Sequence, residues 1–283
     1  MYLGIGLVRT SGTTTWNHDA TSADATLGNP SSELTYDTVG TLAVEFNGGL
    51  KIGQDYFVRG DLGFGVTSTG DGNLRDDDFK AGQVLFSSTD SAIPNSDLFY
   101  LTADIGKEVL NVGDGRISLS LFTGFQYWRE EYNAFGLYNR LTGQPSQADD
   151  VAVISDVVEW KSWRVGALTT YQPTDRLSWV ADLAFVPYTV MHNEDSHLLR
   201  TSPASLGPAP NVIMDGSGFG FQGSLGMTYK LTPRWTTVLD FRYWQLVSDG
   251  QIVLKAQTTP TPFPLNDLNS VRYGINAGLR YDF

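Results

Sequence analysis

Cysteine is absent from this chain of 283 residues. That excludes disulfides, zinc–thiolate centres and thiol nucleophiles. No stretch of eighteen apolar residues occurs, which excludes a membrane-spanning helix. No Gly-x-Ser-x-Gly elbow is present, so a serine nucleophile has no obvious carrier. Basic residues are few, 19 against 31 acidic ones, for a net charge of −12. This balance argues against nucleic acid as a partner. A field of that sign attracts basic peptides, and it also serves plain solubility. No basic start followed by an apolar centre opens the chain, so no signal peptide is expected. Met1 before Tyr2-Leu3-Gly4-Ile5 reads as a methionine added to a mature chain.

What the chain does have is alternation, the mark of strands whose side chains go to opposite faces in turn. The last stretch is the clearest. Val271, Tyr273, Ile275, Ala277, Leu279, Tyr281 and Phe283 share one face, and Arg272, Gly274, Asn276, Gly278, Arg280 and Asp282 the other. A soluble sandwich strand also alternates, but its polar face is the wet outer one. A long run mixing arginine with glycine suits the interior of a membrane barrel. The same design marks nine more strands, around residues 3–7, 42–46, 56–66, 99–105, 117–127, 163–171, 179–185, 219–230 and 235–243.

Tight turns are expected at Gln54-Asp55, 111–115, Pro173-Thr174-Asp175 and Thr232-Pro233. Long polar loops are expected at 12–33, 68–96, 135–156, 196–212 and 256–268. Short turns at one end and long loops at the other predict an all-β fold. Its form is one ten-stranded antiparallel transmembrane β-barrel over residues 1–283, with short periplasmic turns and long extracellular loops. Ten strands enclose too little space for an open pore, so any chemistry belongs at the long-loop rim.

Only three histidines occur, and two lie in Met191-His192-Asn193-Glu194-Asp195-Ser196-His197. Histidine can take up and release a proton near neutral pH. In extended backbone Asp195 and His197 share a face, where the carboxylate can orient the imidazole and stabilise its charged form. The alternatives are a solvated loop pair, or a metal site of His192, Glu194, Asp195 and His197. Zinc needs closer convergence than an extended run gives, so no metal is expected. The second motif is Gly72-Asn73-Leu74-Arg75-Asp76-Asp77-Asp78-Phe79. It lacks the alternating oxygen ligands and late glutamate of an EF-type calcium loop. Asp76 and Asp78 can point the same way, and two close carboxylates can share a proton and hold a water.

A ten-strand barrel with an Asp-x-Asp couple after its third strand and an Asp-x-His pair after its seventh resembles the omptins, the outer-membrane endopeptidases of Gram-negative bacteria. The resemblance spans nearly the whole chain. It implies an outer-membrane location with the active site facing the exterior. It implies that Asp76, Asp78, Asp195 and His197 are catalytic, facing each other across a cleft at the barrel top. A water between them would attack the scissile carbonyl with no acyl-enzyme and no cofactor. The resemblance further implies cleavage beside basic residues. Asp90 falls at the place of one acidic pocket residue. The other, near the first loop, has no acidic equivalent, with Trp16 nearest. Asn193 stands where the family has an acid two residues before the catalytic aspartate, with Glu194 beside it as a substrate-binding candidate. Lipopolysaccharide is the implied lipid partner, with Arg129 at one of its positions, while Phe125 and Tyr127 depart from the pattern.

Counted straight up the strands, parity would turn residues 195 and 197 outward, and residues 76 and 78 as well. The expectation therefore requires bulges at Pro187 and at Gly70-Asp71-Gly72. Two other functions fit the same scaffold: a catalytically inactive barrel acting as an adhesin or lipopolysaccharide-binding protein, and a lipid A-modifying enzyme.

Overall fold

A computed structural model of the chain describes residues 1–67, 72–202, 205–255 and 262–283. Eleven strands occur in order: β1 (Tyr2–His18), β2 (Ser32–Ile52), β3 (Tyr56–Thr67), β4 (Gly72–Lys80), β5 (Val84–Val112), β6 (Ile117–Asn139), β7 (Gln144–Tyr171), β8 (Leu177–His197), β9 (Val212–Lys230), β10 (Trp235–Leu254) and β11 (Phe263–Asp282). Neighbouring strands of the sheet run antiparallel, and β1 pairs with both β2 and β11, which closes the ring. β3 and β4 both lie between β2 and β5. They are two halves of one stave, so the ring has the ten staves that the alternation predicts.

The outer wall explains the closure. Leu3, Ile5, Leu7, Phe64, Ile105, Leu121, Leu183, Leu225, Phe241 and Ile275 are all exposed. An apolar belt of this kind is stable against lipid, where every backbone group must be paired within the sheet. Aromatic side chains border it. Trp235 and Tyr281 pair at the short-turn end, as do Tyr171 and Trp179; Trp163 pairs with Tyr188, and Tyr243 with Tyr273, at the other border. Eight residues separate Trp235 from Tyr243, about 26 Å along a strand, which after tilt fits an apolar band of roughly 25 Å or less.

Of the segments expected as long loops, the described parts of 68–96 and 135–156 are largely strand, 12–33 and 196–212 do carry long connections, and residues 256–261 lie outside the described residues. β5 has 29 residues and β7 has 28, against the roughly 9–11 that cross a bilayer. Beyond the belt the outer face no longer has to be apolar, so polar residues there still pair into the sheet. The described turns at this end are short, as at 81–83 and 140–143; the longer ones run through 19–31 and 198–211. At the opposite end, Gly113, Asp114 and Gly115 take positive φ in the tight turn between β5 and β6, a conformation that glycine adopts without penalty.

The interior has two layers. Towards the short turns, Arg59 pairs with Asp104 at 2.9 Å and with Asp182, Arg164 reaches Asp104 at 3.4 Å, and Arg242 pairs with Glu45 and Asp240. Tyr100 donates to Glu45, and Gly63 leaves room for the Tyr100 ring. A polar cavity of about 210 Å³ lies among these groups, lined by Arg59, Asp61, Arg164, Asp182 and Arg242. Towards the rim the filling is mixed: Trp16, Leu34, Tyr36, Trp128, Tyr132, Trp160, Met191 and Met214 are buried in one cluster, and Glu130, Arg272, Asp156, Asn193 and Asp195 are buried among them. The expectation of a polar interior holds at the belt level, and above it polar groups share the interior with a large apolar cluster. Above the belt the staves pack side chains inward as an ordinary core does.

Parity resets at several staves. On β8 one extra residue at Pro187-Tyr188 shifts the register against β9. Val186 is buried below the shift, and Thr189, Met191, Asn193 and Asp195 above it. Asp37 and Thr38 do the same on β2, where Thr38 has φ 53°. Pro94 and Asn95 do it on β5. On the third stave Gly65 is buried and so is Leu74. Parity therefore differs between these two residues, and the Gly70-Asp71 part of the expected bulge lies outside the described residues.

Candidate active site

The reset on β8 turns Asp195 and His197 inward. Asp195 is fully buried and His197 nearly so. His197 Nε2 lies 3.3 Å from Asp195 Oδ2. With Nε2 engaged there, Nδ1 is the nitrogen available to take a proton. Asn211, fully buried, clamps the end of the strand. Its Oδ1 accepts from the His197 N–H at 2.9 Å, and its Nδ2 donates to the His197 carbonyl at 3.1 Å. The imidazole therefore stands on backbone held from both sides.

Burial disfavours the imidazolium, but the Asp195 carboxylate outweighs it, with a smaller contribution from Asp76. The net effect raises the His197 pKa above its ordinary value. Asp76 and Asp78 lie on β4, across the barrel mouth. Register places Trp16, Leu34 and Asp76 opposite one another on β1, β2 and β4, and His18, Ser32 and Asp78 one step further out. Burial pushes the Asp76 carboxyl up to about 7; the His197 charge pulls it down, and Asp78 and Asp195 push it up. Asp76 and His197 are thus near enough to act on each other's charge. The carboxylate–imidazole pair lies within electrostatic reach of Asp76, and Asp76 within reach of Asp78. Asp77 points the other way, where it accepts a hydrogen bond from Ser88 at 2.5 Å.

Asp90 and Glu194 stay apart from this group. Asp90 lies directly opposite Arg75 on the outer face of the sheet. It is held by Arg75 at 3.4 Å and Arg140 at 3.3 Å. β4 and β5 side chains alternate, so a residue paired with Arg75 cannot share the face of Asp76. Glu194 is exposed on the outer wall of β8, 3.7 Å from His192 Nε2, while His192 Nδ1 contacts Asp215 at 2.7 Å. His192, Glu194, Asp195 and His197 therefore divide between two faces and do not converge on one point. Asn193 faces inward and is fully buried. Arg129 is on the outer wall with Glu131 at 2.8 Å and Glu159 at 3.8 Å, and Tyr127 donates to the same Glu159 at 2.8 Å.

Two site residues escaped the sequence reading. His18 ends β1 opposite Ser32, and its charge interacts with Asp78 and His197. Burial lowers its pKa to about 4, so it is neutral at pH 7. Its Nδ1 is buried without a hydrogen-bond partner. The signal was its rarity: all three histidines of the chain lie above the belt. Arg200, in the turn after β8, is a cation close to the group, and its charge acts on both Asp76 and His197. A lone arginine in a polar loop carries no signal of this.

No family model matches the chain, and no curated protein matches it. Solved structures do. The crystal structure of the outer membrane protease OmpT from Escherichia coli aligns at a TM-score of 0.73 with 15% identity, covering 100% of this chain and 96% of that one. The translocator domain of the autotransporter NalP from Neisseria meningitidis aligns at 0.39 with 13% identity, over 100% of this chain and 89% of that one. The outer membrane protein OprG from Pseudomonas aeruginosa aligns at 0.34 with 11% identity, over 99% and 96%. The first likeness establishes the fold: this chain is a barrel of the kind found in bacterial outer membranes.

Proposed function

We propose that this chain is an outer-membrane endopeptidase that activates water, with its rim facing the exterior. The carrying observation is the buried Asp195–His197 pair turned towards Asp76 at the barrel mouth. The likeness in fold to the outer membrane protease OmpT supports the same reading. A water between the two pairs loses a proton to His197, and its oxygen forms the bond to the scissile carbonyl carbon. The carbonyl π electrons move to oxygen, where the proton shared by Asp76 and Asp78 stabilises the oxyanion. Collapse breaks the C–N bond, and the imidazolium returns its proton to the leaving amine. No covalent intermediate, metal or cofactor is needed in this scheme.

Cleavage beside basic residues is part of the proposal, carried by the negative charge of the cleft itself and not by Asp90 or Glu194. Lipopolysaccharide is the proposed lipid partner. At Arg129 its phosphates would have to displace Glu131 and Glu159, so activity is to be compared with and without it. The direct test uses purified, folded protein and a library of peptides containing paired basic residues. His197→Ala and Asp78→Ala should each lower the rate by at least about 100-fold, the usual worth of a positioned acid or base. Full activity in either variant rejects the mechanism.

The outward placement of Asp90 and Glu194 favours a second reading, a surface barrel that binds polypeptide or lipid without cutting it. Absence of cleavage by the wild type across the library, with lipopolysaccharide present, selects that reading.

A further inference from the structure

Directly across from Asp195, on the neighbouring stave, stands a second carboxylate, Asp156. Both residues are completely buried. Opposed residues of adjacent strands hold their Cβ atoms about 4.5–5.5 Å apart, which sets the two carboxyl groups side by side. Asp156 Oδ1 accepts a hydrogen bond from Asn193 Nδ2 at 2.7 Å. Asp195 Oδ2 has His197 Nε2 at 3.3 Å, but Asp195 Oδ1 and Asp156 Oδ2 are buried with no hydrogen-bond partner. Carboxylate oxygens can only accept, so two facing ionised groups would leave these oxygens unpaired and their charges in opposition. One proton between them resolves both problems.

We propose that Asp156 is a positioning residue that keeps a proton and donates it in a hydrogen bond to Asp195, fixing the Asp195 carboxylate for His197. The partition follows from the surroundings. Asp195 has His197 at 3.3 Å, a cation whenever the imidazole is charged. Asp156 has no such partner among the described residues. The groups that face it are Asp195 on β8, the Tyr36 hydroxyl on β2 and Glu130 on β6, whose charge is already taken by Arg272 on β11. Burial, and next the Asp195 charge, hold its carboxyl well above the ordinary carboxylate range. Asn193 fits the same account, since its amide supplies the donor that Asp156 Oδ1 needs while Oδ2–H turns to Asp195.

This inference gives Asp195 its role from the proposed peptidase, but its test does not depend on turnover. Asp156→Asn reproduces the protonated acid, with Oδ1 accepting from Asn193 and Nδ2 donating to Asp195. Labelled histidine gives only three imidazole signals, and His197→Gln identifies the relevant one. The His197 titration midpoint should agree between wild type and Asp156→Asn within about 0.3 pH unit. If Asp156 were ionised, the substitution would remove a negative charge from the site and lower the midpoint by about one unit or more, which overturns the proposal. Where cleavage is measurable, Asp156→Asn should keep kcat within about threefold and Asp156→Ala lose at least about tenfold. Equal loss in both variants overturns the proposal. A wild type that cleaves nothing removes the peptidase reading, and the titration alone then decides whether Asp156 holds its proton.

Discussion

Asp76 shows how one side chain ties function to stability. Its ordinary pKa of 3.8 rises to about 7 in the folded protein, chiefly through burial. Between those values the unfolded chain releases a proton that the folded chain keeps. Stability therefore falls as pH rises through that window, and the full cost is present above about pH 7. A shift of this size corresponds to something on the order of 4 kcal/mol, less to the extent that water reaches the group. Asp76→Asn should raise the thermal midpoint at pH 8, leave it nearly unchanged at pH 4, and abolish cleavage. Equal midpoints at pH 8 would mean that Asp76 is not strained. The same groups shape the rate profile. His197 must be neutral to accept a proton, so activity should rise with pH through a midpoint above 6.5. Asp76 should hold a proton, so activity should decline as it ionises near 7. The result is a narrow bell centred near neutrality, with limbs that belong to the coupled group. A flat profile from pH 5 to 9 contradicts these roles. Asp195 and His197 were legible as a dyad because an x-spaced pair in extended chain shares a face. His18 was not, because nothing along the sequence links it to residues sixty or more positions away.

At the scale of the strand, the decisive feature is a single extra residue. Alternation carried up from Leu183 turns Asp195 to the outside; the bulge at Pro187-Tyr188 turns it in. Proline has no N–H to give the ladder and is at home where the ladder is interrupted. Pro94 marks a second such place. Deleting Pro187 should restore unbroken alternation and send Asp195 and His197 to the outer wall. The expected outcome is a folded, heat-modifiable barrel with cleavage reduced to that of His197→Ala. Retained activity would show that the rim re-forms its register independently of the belt. The rim strands were mistaken for loops for a related reason. Loop and strand differ in sequence mainly by apolar alternation, and above the belt the outer face is free of that requirement. Their pairing is decided by the neighbouring stave alone.

The whole molecule is held by an apolar belt outside, an ion-pair layer within it and, under the rim, an apolar cluster threaded with buried polar groups. Leu183 is two-thirds exposed in the middle of the belt. Leu183→Arg should cost about 2–4 kcal/mol in bilayer stability, the depth-dependent cost of a cation at the midplane. The same change at Glu194, on the same wall but above the belt, should cost little. Equal effects at both sites would place the lipid boundary elsewhere. Unfolding in vesicles reads both. Asp90 belongs to this scale too. The resemblance implies a pocket acid at Asp90, yet the closed sheet gives it to Arg75 and Arg140 on the outside.

The sequence alone determined the ring. A period of two with one apolar face, repeated ten times between turn residues, leaves a closed sheet in lipid as its stable form, because edge strands there would leave backbone groups unpaired. It also carried the identity of the proposed acid–base pair, since proton chemistry near neutral pH had few possible carriers. Only the tertiary structure decided which way those side chains face and what lies beneath them. Direction depends on bulges, each a matter of one residue, which average out of any periodic signal. The placing of Asp156 opposite Asp195, or of Asp76 within reach of the His197 charge, depends on register between staves, and register is fixed by closure of the barrel rather than by any local run of residues.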